Sequence, residues 1–245
     1  MKILFLGNSI TRGQIGESFV ASIQIDNPIW SIHNAGVDGD TLKNISDRLV
    51  NILSDGSEYD FVVIEAGHND IILPQFNKKG LLFQFALGHL LRHGRQPLGV
   101  EDFRVEYLGM IKLLREKTKG RIVLTTLSCI NENLLSETNL IRIEYNKVIR
   151  AITKEANCLL ADVSEAFETV LKESSQTDYL LESFLSSVYF DKKICRQKGG
   201  VQKLSKKRKL TLTIDGIHLN EEGANIYRRT IEKSISEAAG DVVHK

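Results

Sequence analysis

A serine, candidate amide donors and an Asp–His pair lie in four short segments of this chain. These are Gly7-Asn8-Ser9-Ile10, Asn34-Ala35-Gly36, Gly67-His68-Asn69-Asp70 and Asp215-Gly216-Ile217-His218. Together they hold the parts needed to attack an acyl carbonyl. A serine hydroxyl is a weak nucleophile until a base takes its proton. His218 is such a base, and Asp215, three residues earlier, can orient its ring and stabilise the charged form. The tetrahedral intermediate needs donors aimed at its oxygen, and the Ser9 and Gly36 backbone amides and the Asn69 side chain are suitable types. Glycine at position 36 lets the backbone approach a ligand closely.

These segments do chemistry only if the fold gathers them. Lys2–Gly7 is a short apolar run ended by Gly-Asn-Ser and reads as a buried strand. A helix is predicted over residues 16–25, and Ile29–Asn34 is the second strand. Leu42, Ile45, Leu49 and Ile52 recur at helical spacing behind a cap at Thr41 or Asp40. The run 61–66 is nearly all apolar, as a central parallel strand covered on both faces should be. Phe103–Lys119 reads as a helix, Arg121–Leu127 as the fourth strand and Cys158–Val163 as the fifth. Ile141, Tyr145, Val148 and Ile152 mark the helix between those two strands. Asn220 caps a last helix with Glu221 and Glu222 in its first turn, where the dipole favours acids. Alternating strands and helices imply right-handed crossovers and an α/β architecture, with a parallel sheet of about five strands between two helical layers. In such sheets ligands bind outside the carboxyl ends of the strands. Ser9, Gly36 and Asn69 each follow a strand, so they are expected at one crevice.

Two long segments, 73–102 and 172–212, break the rhythm and read as insertions above the sheet of one domain, 1–245. Composition narrows the function classes. The chain has 245 residues, 42% hydrophobic and 26% charged, with net charge +1, which makes no electrostatic case for nucleic acid or a membrane. No run approaches the length of a membrane helix, and the first residues turn polar too early for a signal peptide. The three cysteines, Cys129, Cys158 and Cys195, are far apart and odd in number, as in a reduced cytoplasmic protein. None lies in a CxxC pair, and neither a metal nor a cofactor is expected.

The four segments resemble the blocks of the SGNH hydrolase superfamily, the GDSL esterases and lipases. Ser9 matches the nucleophile block, Asn34-x-Gly36-x-x-Gly39-x-Thr41 the second, Gly67-x-Asn69-Asp70 the third, and Asp215-x-x-His218 with Leu219-Asn220 and Gly223 the last. The resemblance implies a flavodoxin-like α/β/α sandwich and a serine hydrolase that cleaves acyl esters, short-chain or O-acetyl. It also implies a triad of Ser9, His218 and Asp215, with an oxyanion hole of Ser9, Gly36 and Asn69. The expected partner is a small acyl ester of a carbohydrate or a lipid. One block departs: Asn8 stands where the family's Gly-Asp-Ser has its aspartate.

Other polar residues have weaker claims. His68 neighbours Asn69 but suits a loop or packing role, and His33 suits a structural one. Glu65 is out of place in an apolar strand, either as a buried hydrogen-bonded group or as a side chain reaching the site. The acid-free basic run from Lys192 to Lys209 reads first as a solvated loop, and second as a lid that attracts anions. Two other functions compete with the hydrolase: an acyltransferase using the same serine, and a non-catalytic flavodoxin-like ligand-binding module. The missing GxGxxG and GxxxxGK[ST] patterns weaken the latter.

Overall fold

The structure, a computed structural model, describes residues 1–54, 56–183 and 189–243. Its centre is a parallel sheet of β1 (Lys2–Gly7), β2 (Ser31–Gly36), β3 (Phe61–Glu65), β4 (Arg121–Thr125) and β5 (Leu159–Ala161), in the order β2-β1-β3-β4-β5. β1 and β3 are inner strands and deeply buried. Ile3, Leu4, Phe5 and Leu6 of β1, and Val62, Val63 and Ile64 of β3, are at most 1% exposed. Helices cover both faces, so these strands show no in–out alternation.

The helices are α1 (Ser9–Arg12), α2 (Phe19–Asp26), α3 (Leu42–Ile52), α4 (His68–Gln75), α5 (Leu81–Arg92), α6 (Val100–Lys117), α7 (Glu137–Glu155), α8 (Val163–Lys172), α9 (Asp191–Cys195), α10 (Gly200–Arg208) and α11 (Glu221–Val243). α2, α8 and α11 pack together through a Phe19–Tyr227 stack and a Phe167–Tyr227 edge contact. α3, α6 and α7 pack as a second layer, with Phe103 of α6 against Tyr145 of α7. The chain runs from β1 outward to β2, then returns past β1 to β3, β4 and β5. Right-handed crossovers in opposite directions put these helices on opposite faces. The reversal opens a crevice at the carboxyl ends of β1 and β3.

Register levels the crevice floor. Gly7 pairs with Gly36 on one side and with Glu65 on the other. Three strands therefore end at one height, and residues 8–12, 37–41 and 66–70 emerge side by side. Both irregular segments carry helices among their described residues. The first forms the end of α4, a 3₁₀ turn over Phe76–Lys78, and α5. The second holds α9 and α10, whose Ile194, Val201 and Leu204 pack with Ile214 and Ile15 in a small separate core.

Candidate active site

Ser9 opens α1 directly after β1. Asn8 accepts the Ile10 N–H at 2.8 Å and so fixes the turn that presents the serine. Ser9 Oγ lies 3.0 Å from His218 Nε2, and His218 Nδ1 lies 2.7 Å from Asp215 Oδ2. A carboxylate only accepts, so Nδ1 donates to Asp215 and Nε2 is left to accept the serine proton. Asp215 Oδ1 also accepts the His218 and Ile217 N–H groups, at 2.8 and 3.1 Å. Burial opposes ionisation of Asp215, but the adjacent imidazole and these hydrogen bonds outweigh it and hold its pKa below the ordinary value. Burial also disfavours a charged His218. The Asp215 charge and hydrogen bond, with more distant Asp38 and Asp191, prevail and raise its pKa above 6.5.

The Asp–His turn is anchored from several sides. Ile214 N–H donates to His218 O at 2.8 Å, and Thr213 and Leu219 form an antiparallel bridge. Asn131 N–H donates to Gly216 O at 2.7 Å, and Arg208 Nη1 donates to Ile214 O at 2.7 Å. Glu132 holds the approach to the turn. Its buried carboxylate accepts the N–H groups of Thr211, Leu212 and Thr213 and the Thr213 hydroxyl, at 2.6 to 2.8 Å. Nothing local in the sequence singles out Glu132, whose partners lie about eighty residues away.

The donor set differs from expectation at one position. Gly36 N–H is already taken, donating to Asn34 Oδ1 at 2.9 Å, while Asn34 Nδ2 holds Thr11 O at 2.8 Å. Gly36 is absent from the wall of the cavity above Ser9, which Gly39 lines instead. Gly36 is glycine because α1 presses on it: an added β-carbon would stand 2.3 Å from Arg12 N. Gly39 has φ +78°, a left-handed conformation that glycine adopts without strain. The N–H groups of Ser9 and Gly39 have no partner among the described residues. Asn69 Nδ2 donates one hydrogen to Asp40 O at 2.8 Å and lines the same cavity, so its second hydrogen is available. Asp70 is not a simple helix cap. It is buried, accepts Leu42 N–H at 3.0 Å and Leu98 N–H at 2.9 Å, and burial lifts its pKa to about 7 despite them.

A buried polar cluster lies under the serine. Glu65, 1% exposed, receives Asn8 Nδ2 on Oε1 and Thr11 Oγ1 on Oε2, both at 3.1 Å. His68 Nδ1 is 2.8 Å from Glu65 Oε1, and its Nε2 is 3.1 Å from Ser128 Oγ. Glu65 is thus the hydrogen-bonded buried group. His68 is both structural and part of the cavity wall, while His33 is tied to Tyr59 OH at 2.7 Å, away from the site. The basic run is mostly helical. Its Arg208 is bound to Asp191 at 2.7 and 2.9 Å, and Lys192 lines the cavity with its ammonium 3.7 Å from Asp38. Among the described residues no helix is long and apolar enough to cross a membrane.

The profile described as the GDSL-like Lipase/Acylhydrolase family matches residues 5–226. No curated protein matches the sequence. The acetyl xylan esterase AlAXEase is similar in structure, with TM-score 0.63 and 20% identity over 96% of this chain and 100% of that one. Axe2, an acetylxylan esterase from Geobacillus stearothermophilus, gives TM-score 0.62 and 20% identity over 96% of this chain and 93% of that one. LAE5, an alpha/beta hydrolase from the metagenome of Lake Arreo, Spain, gives TM-score 0.64 and 17% identity over 95% and 94%. Structures of Axe2 catalytic mutants at a serine, a histidine and an aspartate are also similar.

Proposed function

The chain belongs to the GDSL-like lipase/acylhydrolase family and hydrolyses acyl esters, and from that premise we propose that Ser9 is its nucleophile, His218 its base and Asp215 the acid that orients the base. The observation that carries this reading is the unbroken chain Ser9 Oγ to His218 Nε2 at 3.0 Å and His218 Nδ1 to Asp215 Oδ2 at 2.7 Å. Ser9 Oγ attacks the ester carbonyl carbon as its proton passes to His218 Nε2. The carbonyl oxygen becomes an oxyanion that faces the Ser9 N–H, the Gly39 N–H and Asn69 Nδ2. Collapse breaks the bond to the alcohol oxygen, which takes the proton from His218 and leaves. Water then attacks the acyl-serine with His218 again as base, releasing the carboxylic acid and restoring Ser9. Each oxyanion donor is worth about 10²–10³ in rate.

Residues 1–245 act in this reading as one catalytic domain. Small acyl esters are its substrates, and the similarity to acetyl xylan esterases supports O-acetylated carbohydrate as one class that it turns over, with the sugar as the leaving alcohol. Three free thiols fit a reducing, cytoplasmic setting. The test is to label the protein with a small fluorophosphonate, map the adduct and assay p-nitrophenyl acetate with wild type, Ser9→Ala and His218→Ala. Labelling at Ser9 and loss of hydrolysis in both variants is expected. Labelling elsewhere, or full activity in Ser9→Ala, overturns the assignment.

A further inference from the structure

The cavity above Ser9 is much larger and more apolar than an acetyl group requires. Its volume is about 590 Å³, in the range of sites that enclose a sizeable ligand. Most of its apolar wall comes from one stretch of chain, with Ile72 and Leu73 from α4, Phe76 from the 3₁₀ turn, and Phe83, Ala86 and Leu90 from α5. The wall is rigidly made: Phe76 and Phe83 pack edge to face at 5.0 Å, and both are buried. The polar groups of the cavity are largely committed. Asn8 and His68 are bonded to Glu65, and Asp38 is paired with Arg12 at 3.0 Å and with Lys192. What remains polar is the proposed catalytic set, the His89 ring and Asp38 Oδ1, against eleven apolar side chains. A sugar would leave its hydroxyls against leucine and phenylalanine, which costs unmade hydrogen bonds. A hydrocarbon would not.

The geometry also separates the two halves of an ester. The leaving oxygen must point to His218 Nε2, because that nitrogen protonates it. The carbonyl oxygen must point to Asn69 and Gly39. Ile72 and Leu73 stand three and four residues after Asn69, on the same face of α4. Leu90 comes within 3.9 Å of the place a β-carbon would take on Gly39. The apolar wall thus begins beside the oxyanion donors and is built on helices that carry neither Ser9 nor His218.

We propose that the wall formed by residues 72–90 is an acyl-chain site, and that esters of medium-length fatty acyl groups are better substrates than acetyl esters. The proposal rests on the Ser9 reading above. Each methylene buried in the site should raise kcat/KM by about three- to fourfold until the cavity is full.

The experiment measures kcat/KM for p-nitrophenyl esters from acetate to decanoate, and for acetates of alcohols from ethanol to octanol. Wild type is compared with Ala86→Trp, which fills the cavity, and Leu90→Ala, which enlarges it. Fluorophosphonate labelling at Ser9 is followed in all three as a check on folding. The expected result is a rise of at least about 100-fold from acetate to octanoate, with no comparable rise along the alcohol series. The octanoate-to-acetate ratio should fall at least tenfold in Ala86→Trp, and the optimum should move to longer chains in Leu90→Ala. Three results would overturn the proposal: best activity on acetate, dependence on the alcohol instead of the acyl chain, or a ratio unmoved by Ala86→Trp. With Ser9 labelled and acetate turned over, those results leave the catalytic reading intact. No label at Ser9 is what breaks that reading.

Discussion

Restoring the family's aspartate at position 8 should damage this protein. Asn8 Nδ2 donates to Glu65 Oε1 at 3.1 Å inside a cluster in which both residues are 1% exposed. Asn8→Asp keeps the oxygen that accepts Ile10 N–H, but turns the other contact into carboxylate against carboxylate. At that separation, with an effective dielectric constant of about 20, two unit charges repel by about 5 kcal/mol. The alternative is that the pair keeps one proton. That costs about 1.4 kcal/mol for each pH unit above the ordinary carboxylate value of about 4, hence about 5 kcal/mol at pH 8 and about 1.5 kcal/mol at pH 5. The introduced acid has a raised folded pKa, so the folded state holds a proton that the unfolded state has lost, and the penalty grows as pH rises. A loss of about 5 kcal/mol is a third or more of the stability of a typical domain.

The assay is urea unfolding of wild type, Asn8→Asp, Glu65→Gln and the double variant, at pH 5 and pH 8. In the double variant the amide introduced at position 65 can donate to the new carboxylate, so the loss should largely reverse, giving a coupling of about 3 kcal/mol or more at pH 8. An Asn8→Asp protein as stable as wild type at pH 8, or one whose loss does not shrink toward pH 5, would refute the reasoning.

Four further outcomes follow from the site. The acid limb of kcat/KM should lie above pH 6.5, because His218 must be neutral to accept the serine proton and Asp215 holds its pKa up. Asp215→Asn should lower kcat by about 10⁴ and move any residual limb to lower pH, as read from pH–rate profiles. Gly36→Ala drives a β-carbon into the backbone of Arg12 and should lower the melting temperature, whereas Gly39→Ala meets only Leu90 and should chiefly lower kcat through its strained left-handed backbone. Equal loss of kcat at unchanged stability in both would restore Gly36 to the donor set. Glu132→Gln places an NH₂ group against an N–H it formerly accepted from, and should cost about 2–3 kcal/mol in urea unfolding with a matching fall in kcat as the Asp–His turn loosens.

Much of this was legible in the residues, because strand-end placement is a strong constraint. Apolar runs ended by small polar residues located all five strands to within a few positions, and the rule that ligands sit at their carboxyl ends brought Ser9 and Asn69 together. Asp215 and His218 are three apart on a turn, so little folding information was needed to pair them. The choice between Gly36 and Gly39 was harder, since both lie in the same block. Its signal was Asn34, two residues before Gly36, where a side-chain oxygen commonly captures a backbone N–H. The departure at Asn8 and the carboxylate of Glu65 in an apolar strand were two ends of one hydrogen bond. Fifty-seven residues divide them, so no local pattern links the two. The sequence of α5 carries little helical period, because Leu81, Leu82, Phe83, Phe85 and Leu87 make it apolar on every side. The basic run hides its helices the opposite way, with little besides Ile194, Val201 and Leu204 marking an inner face.

That contrast bears on how the molecule divides its work. The sheet places the proposed nucleophile and oxyanion donors through register, which side chains buried on both faces set, while the turn held by Glu132, Asn131 and Arg208 places the proposed base. Nothing in that scaffold depends on what is attached to the carbonyl. α5 presents Phe83 and Leu87 to the core, yet Leu82 and Phe85 are 54% and 74% exposed on the cavity wall. Exposed apolar side chains on a helix whose inner face is already buried add nothing to the core. Their placement makes sense if the helix serves the cavity rather than the fold. Substitutions at Leu82 and Phe85 should therefore move substrate preference before they move stability, whereas substitutions in β1 should do the reverse.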